Sequence, residues 1–350
     1  MSEISGQKAL ITGGLGFFGS GLSERLSQKG ALCRIFDISE NIEDLGSIEF
    51  IRGDICNFRD IKKACSSIDV IYHNVAQVPL AKDISKFNQV NVEGTRNVLQ
   101  AALDCGVKKF VYTSSSAIFG VPEKNPVDEN NIPNPGEAYG LAKYKGELIC
   151  KEFQEKGLDV TIVRPRTIIG HGRLGIFQVL FEWISEGNNV PVLGDGSNIY
   201  QFIHSDDLAD ACIAAGNKSG SATLNCGAEK YGTMKEVLEA LCEHAKTGSK
   251  VVNVPMNLAI LGMNITSRLG LSPLGPYHSL MYGKSMYFDI SKAKLELNWN
   301  PKYSNSQMFI EAYDWYLENR EYLEKNNDGN KSPHRSPIKQ GVLKIVKWII

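Results

Sequence analysis

Over the first 170 residues, short apolar runs alternate with amphipathic stretches. KALITGG, LCRIFDIS, IEFIRGDI, DVIYHNVA, KKFVYTSSSAIFG and VTIVRPRTIIG predict six strands. FGSGLSERLSQKG, DIKKAC and NVEGTRNVLQAALDCG carry apolar or small residues at helical spacing, and Gly30 and Gly106 close the first and last of them. Strand, helix, strand at this spacing predicts an α/β protein with a doubly wound, parallel (Rossmann) sheet. The pattern does not set the strand order.

After Gly170 the rhythm changes. IFQVLFEWISEG predicts an amphipathic helix. VPVLGDGSNIYQFIHSDDLADACIAA predicts a loop, a short strand and a helix capped by Ser205 or Asp206. TLNCGAEKYGTMKEVLEALCEHA predicts a strand and a helix, and SKAKLELNWNPKYSNSQMFIEAYDWYLENR more helix. Residues 256–288 are irregular and rich in Leu, Met, Gly and Pro. The expected organisation is a Rossmann domain at 1–170, with 197–232 packing back onto it. A smaller, interrupted substrate-binding region at 171–330 closes over the strand ends. Residues 331–350 form a polar linker and a basic amphipathic tail.

Composition adds exclusions. Formal net charge is -1 over 350 residues, so no global field favours nucleic acid. None of the eight cysteines forms a Cys-x-x-Cys pair, so the sequence suggests neither zinc nor a redox dithiol. They read as small buried hydrophobes in a reducing compartment. The N-terminal segment lacks the apolar core of a signal peptide, and no run reaches the ~18 apolar residues of a spanning helix. A cytoplasmic protein is expected. In the tail, Ile338, Val342, Ile345, Val346 and Ile349 share a helical face beside Arg335, Lys339, Lys344 and Lys347. Residues 338–350 could therefore rest on the inner face of a membrane, on their own domain or on a partner subunit.

Two motifs carry chemistry. Gly13, Gly16 and Gly19 follow an apolar strand and open a helix, so a pyrophosphate can approach bare backbone at a helix N-terminus. Asp37 ends the next strand, 18 residues past Gly19, where a carboxylate can take both ribose hydroxyls of an adenosine. It would repel a 2′-phosphate, and no arginine follows it in FDISEN, which favours NAD over NADP. In EAYGLAKYKGE, Tyr139 and Lys143 stand one helical turn apart on one face. A phenol beside an ammonium suits proton transfer, because the positive charge lowers the cost of phenolate.

These motifs resemble the extended short-chain dehydrogenase/reductases, the NAD-dependent epimerase/dehydratase family, over roughly residues 6–325. The matching pieces are TGGLGFFG, GDI at 53–55, NVEGT at 91–95, TSSSAIFG at 113–120 and YGLAK at 139–143. The resemblance implies Tyr139 as general acid/base, and Lys143 as the group that holds the nicotinamide ribose and lowers the tyrosine pKa. It implies Ser115 on the reacting oxygen, with Ser114 and Ser116 as alternatives, and Asn91 as an ordering residue. For NAD it implies contacts from Gly13, Gly16, Phe17, Phe18, Gly19, Asp37, Asp54, Ile55, Ala76, Tyr139, Lys143 and Pro165, with Arg164 also at the nicotinamide end. It further implies a homodimer through the helices of NVEGTRNVLQAAL and YGLAKYKGELICKEF.

The substrate is less constrained. Family members acting on nucleotide sugars usually read Arg-x-x-Asn where this chain has Arg164-Pro165-Arg166-Thr167. They usually carry a diphosphate-binding arginine where Tyr200 stands, although Arg166, Arg173 or Arg268 could substitute. RPRTIIGHG is closer to the 3β-hydroxysteroid dehydrogenase-like branch, and 256–288 is apolar enough to line a pocket. The resulting expectation is an NAD-dependent oxidoreductase acting on a secondary alcohol or ketone of an apolar small molecule. The alternative is a nucleotide-sugar epimerase or dehydratase. A non-catalytic NAD-binding scaffold is disfavoured, because Tyr139 and Lys143 are both kept.

Overall fold

The six apolar runs all become strands of one parallel sheet, and the strand of TLNCG joins them as a seventh. The computed structural model describes residues 4–40, 45–77, 85–174, 176–257, 259–262, 283–325 and Lys347. Its main strands are β1 (Lys8–Thr12), β2 (Leu32–Asp37), β3 (Glu49–Arg52), β4 (Val70–His73), β5 (Lys109–Thr113) and β6 (Val160–Pro165). Three short strands follow: β7 (Thr167–Ile169), β8 (Val190–Leu193) and β9 (Phe202–His204). β10 (Ala222–Cys226) and β11 (Val251–Val254) come last. The sheet order is β3-β2-β1-β4-β5-β6-β10, with every neighbour parallel. The order reverses between β1 and β4, and such a reversal opens a crevice at the carboxyl ends of the strands.

Alternation along the strands explains the double burial. Ile11, Tyr72, Val111 and Val163 face one layer, while Leu10, Ile71, Phe110 and Ile162 face the other. The first layer is α1 (Phe17–Gln28). The second is α2 (Phe58–Ala64), α3 (Ser85–Asn88) and α4 (Thr95–Asp104), followed by α5 (Ala138–Glu155). Each fully buried Leu, Ile or Phe contributes about 1.5–3 kcal/mol, so register is strongly specified. The helix expected from Asn91 does not start as an α-helix. A π-helical turn, Gln89–Gly94, precedes α4, and a Cβ at Gly94 would lie 2.5 Å from Ile55 Cδ1. The wide turn and the bare glycine let Asn91 reach the strand ends.

The run VTIVRPRTIIG bends rather than continuing. β6 stops at Pro165, the Arg166 N–H donates to Cys226 O, and β7 leaves to pair with β9. The later helices are α6 (Ile176–Ser185), α7 (Ser205–Asn217), α8 (Met234–Ala245), α9 (Ser291–Leu297) and α10 (Asn305–Lys325). α7 and α9 pack on the α1 side of the main sheet, while α6, α8 and α10 build a separate apolar cluster around Phe181, Trp183 and Phe309. The cap of α7 is neither Ser205 nor Asp206. It is His204, whose Nδ1 accepts the Asp206 N–H at 3.2 Å while Ser205 and Asp206 already lie in the first turn.

All eight cysteines are free thiols, six of them buried. Among the described residues no helix is long and apolar enough to cross a membrane, and no cluster of metal-ligating side chains occurs. Most of residues 256–288 and of the tail lie outside the described residues. The one described tail residue, Lys347, is ion-paired with Glu186 just past α6 of the same chain. That contact gives the membrane reading no support.

Candidate active site

The glycine loop lies at the reversal point. Gly13 adopts φ +71°, and a Cβ on it would lie 3.1 Å from the Val75 backbone, so β1 and β4 bring Gly13 against Val75, the residue before Ala76. A Cβ on Gly19 would lie 2.1 Å from Gly13 O, so only glycine allows α1 to start this near the loop. Gly16 caps α1 with backbone alone, and no side-chain oxygen takes its first amides. Phe17 and Phe18 pack beneath that helix start. Asp37 ends β2 with its carboxylate held by the Leu15 N–H at 3.1 Å and the Ser39 N–H at 3.1 Å. Asp54 accepts from Cys56 N–H at 2.9 Å, and Ile55 is buried beside it. A bare cradle at a helix N-terminus, with a positioned carboxylate on the next strand, fits the pyrophosphate and adenosine ribose of NAD.

Beside the cradle, α5 presents Tyr139 and Lys143. Glu137 caps this helix, accepting the Tyr139 and Gly140 N–H groups at 2.7 and 2.6 Å. A Cβ on Gly140 would lie 2.4 Å from Ala117 O, so the helix start is pressed against the turn that follows β5. The three serines of that turn have separate partners. Ser114 donates to Glu147 Oε1 at 2.6 Å, and Ser116 accepts from Arg166 Nη1 at 2.8 Å. Ser115 accepts the Ala117 N–H at 3.2 Å, and it is the serine that lowers the Tyr139 phenol pKa. Ser114 and Ser116 are thus engaged elsewhere, which leaves Ser115 as the serine acting on the phenol.

Burial pushes the Tyr139 phenol up to about 12, while Ser115 and then Arg173 pull it down. The resemblance assigns that lowering to Lys143. Lys143 donates to Thr113 O at 2.7 Å and sits 4.9 Å from the Tyr112 ring centroid. Its own burial brings its pKa down to about 8. The Arg164 guanidinium is held by Glu147 in a buried two-point pair at 2.9 and 2.7 Å. Pro165 is buried at the same strand end.

Asn91 clamps the chain just past Ala76, with Oδ1 accepting Gln77 N–H at 2.7 Å and Nδ2 donating to Gln77 O at 3.0 Å. Behind it runs a buried relay absent from the sequence reading. Thr95 Oγ1 donates to Asn91 O at 2.9 Å, so it accepts from His73 Nε2 at 3.1 Å. His73 Nδ1 therefore accepts from Thr12 Oγ1 at 2.7 Å. Burial, then Lys143, drives the His73 pKa down to about 3. The missed residues, His73, Glu147 and Glu137, are polar groups in otherwise apolar or helical runs, and that was their available signal. Next to Ser116 lies a polar cluster: Thr167 Oγ1 and Tyr200 Oη are 3.0 Å apart, and the Arg166 guanidinium lies 4.5 Å from the Tyr200 ring centroid.

A Rossmann sheet with this cradle and this serine–tyrosine–lysine arrangement defines an NAD-dependent short-chain dehydrogenase/reductase of the extended type. The chain belongs to the NAD dependent epimerase/dehydratase family, whose model matches residues 9–227. An uncharacterized protein of Sinorhizobium fredii, y4nG, is 52% identical over 98% of this chain and 86% of its own. A UDP-glucose 4-epimerase of Mycolicibacterium smegmatis is 30% identical over 67% of this chain and 81% of its own. A 3-beta-hydroxysteroid dehydrogenase of Mycolicibacterium neoaurum is 26% identical over 89% and 92%. Among solved structures, the epimerase Mth375 of Methanothermobacter thermautotrophicus superposes with a TM-score of 0.78, at 25% identity over 93% of this chain and 97% of that one. The protein is an enzyme that uses NAD.

Proposed function

We propose that this enzyme oxidises a secondary alcohol carbon on a polar, nucleotide-linked sugar, with NAD retained between turnovers as in an epimerase or decarboxylase. The observation that carries this reading is the buried polar cluster of Ser116, Arg166, Thr167 and Tyr200, which begins one residue from Ser115. An apolar alcohol would leave a buried guanidinium against hydrocarbon, which costs several kcal/mol. The similarity to a 3-beta-hydroxysteroid dehydrogenase supports the apolar reading, which comes second here because it gives the buried Arg166 guanidinium no anionic partner.

Bound NAD supplies the hydride acceptor. The chain supplies the rest. Ser115 orients the substrate hydroxyl toward the Tyr139 oxygen. Tyr139 takes its proton as the carbinol carbon loses hydride and returns one when the carbonyl is reduced. Lys143, held by Thr113 O, places a positive charge under the site that offsets phenolate. Asn91 fixes the strand end at Gln77. We infer that two copies pair through α4 and α5, because α5 exposes Leu141 and Leu148 seven residues apart.

The test is turnover of UDP-glucose, UDP-glucuronate and a 3β-hydroxysteroid, with product and free NADH both followed. Sugar conversion without free NADH supports the proposal. Steady NADH release from the steroid alone would replace it with the apolar reading.

A further inference from the structure

Two arginines, two residues apart at the end of β6, make an internal comparison. Arg164 uses the Nε and Nη2 edge of its guanidinium to hold the Glu147 carboxylate at 2.9 and 2.7 Å. Arg166 is as deeply buried, 1% exposed against 3%. Its Nη1 donates to Ser116 Oγ, but Nε and Nη2 are buried with no hydrogen-bond partner. These two form the same edge that Arg164 fills with a carboxylate. No carboxylate pairs with Arg166 among the described residues. Tyr200 and Phe288 rings flank the guanidinium at 4.5 and 5.6 Å.

A planar fork with both donors unsatisfied in a low-dielectric wall fits an anion with two oxygens. Its position is informative too. Arg166 donates to Ser116, and Ser116 adjoins Ser115, the serine that acts on the Tyr139 phenol. Ser115 and Ser116 are adjacent in one turn, so we assign an anion on Arg166 and a hydroxyl at Tyr139 to one molecule. We propose that Arg166 is the anion-recognising residue of the substrate site, taking a carboxylate or phosphate oxygen pair carried by the substrate. The inference rests on the reading of Tyr139 as the site's acid/base, and it restricts the substrate to anionic alcohols. Neutral sterols and neutral free sugars are excluded.

The two sources of such an anion are a carboxylate on the reacting unit and a nucleotide diphosphate. They separate by thermal shift on the NAD-loaded protein at constant ionic strength, with D-glucuronate, UDP and D-glucose as probes. The expected result is a saturable rise of about 3–5 °C with glucuronate or UDP and none with glucose. A response to glucuronate identifies a carboxylate, and a response to UDP alone identifies the diphosphate. Arg166→Met abolishes the response and raises the unliganded Tm, because a buried unpaired cation is gone. Arg166→Lys keeps the charge but loses the fork, and binds the responding probe at least 10-fold more weakly. Tyr139→Phe retains the anion response, so a failure of the catalytic reading shows separately as unchanged turnover in that variant. No rise with either anion, or an equal rise in Arg166→Met, overturns the proposal.

Discussion

The Glu147 carboxylate is wholly buried and accepts from Arg164 on both oxygens, with Ser114 adding a third hydrogen bond at 2.6 Å. Glu147 lies one turn beyond Lys143 on α5, Arg164 lies on β6, and Ser114 lies at the end of β5. The triad therefore fixes the angle at which α5 presents Tyr139 and Lys143 to the strand ends. Breaking one side leaves a buried charge uncompensated, which costs about 3–5 kcal/mol. Glu147→Ala is expected to lose about that much in urea unfolding. The double variant Glu147→Leu with Arg164→Met should recover most of it. A double variant no more stable than Glu147→Ala would show that the triad does not act through charge compensation.

The His73 relay predicts an acid limb. The folded ring stays neutral down to about 3, whereas an unfolded histidine takes a proton below about 6.5. The unfolded state therefore holds more protons between these values, and stability falls as pH drops through that window. The full effect is on the order of 4–5 kcal/mol. His73→Gln should flatten the limb between pH 6.5 and 3 in denaturant titrations. Parallel limbs in the two proteins would remove His73 as the cause.

Much of this arrangement was legible in the sequence, for local reasons. The apolar runs are continuous because both sheet faces are covered, and the glycines are spaced by a turn that a Cβ would block at Gly19. Tyr139 and Lys143 share a helix, so their spacing fixed their relation. What was not legible is long-range. Ser114, Ser115 and Ser116 look alike as letters, and only Glu147 and Arg166 from other elements distinguish them. Arg164 and Arg166 also look alike, and one of them meets a carboxylate 17 residues upstream. Thr12, His73 and Thr95 lie in three elements, so no spacing rule joins them.

Pairing through α4 and α5 predicts a change of mass. Arg96 and Glu152 already tie the two helices together within one chain at 2.9 Å. Leu148 is 46% exposed on the outer face of α5 and would lie between the copies. Leu148→Arg would place like charges opposite one another across a two-fold interface. Light scattering should report a monomer for this variant and a dimer for the parent protein. A parent protein that is monomeric at all concentrations would exclude the interface.

Lys143 separates stability from activity. Its buried ammonium has a pKa near 8, while an unfolded lysine titrates at about 10.4. Below pH 8 both states are charged, and the folded state carries the full cost of the buried cation. Between pH 8 and about 10.4 the unfolded state holds the extra proton, so this group makes stability rise with pH. Lys143→Met removes the cation but leaves Thr113 O without its donor, so the expected gain at pH 7 is on the order of 2 kcal/mol. The gain should shrink toward zero by pH 10. Turnover should fall in the same variant by about 10²–10⁴-fold, because the phenolate at Tyr139 loses its compensating charge. Tyr139→Phe should match that loss in kcat without the gain in stability. Denaturant midpoints at pH 7 and pH 10, measured beside kcat, decide the matter. A Lys143→Met protein that is less stable at pH 7 would mean that the contact with Thr113 outweighs the cost of burying the charge.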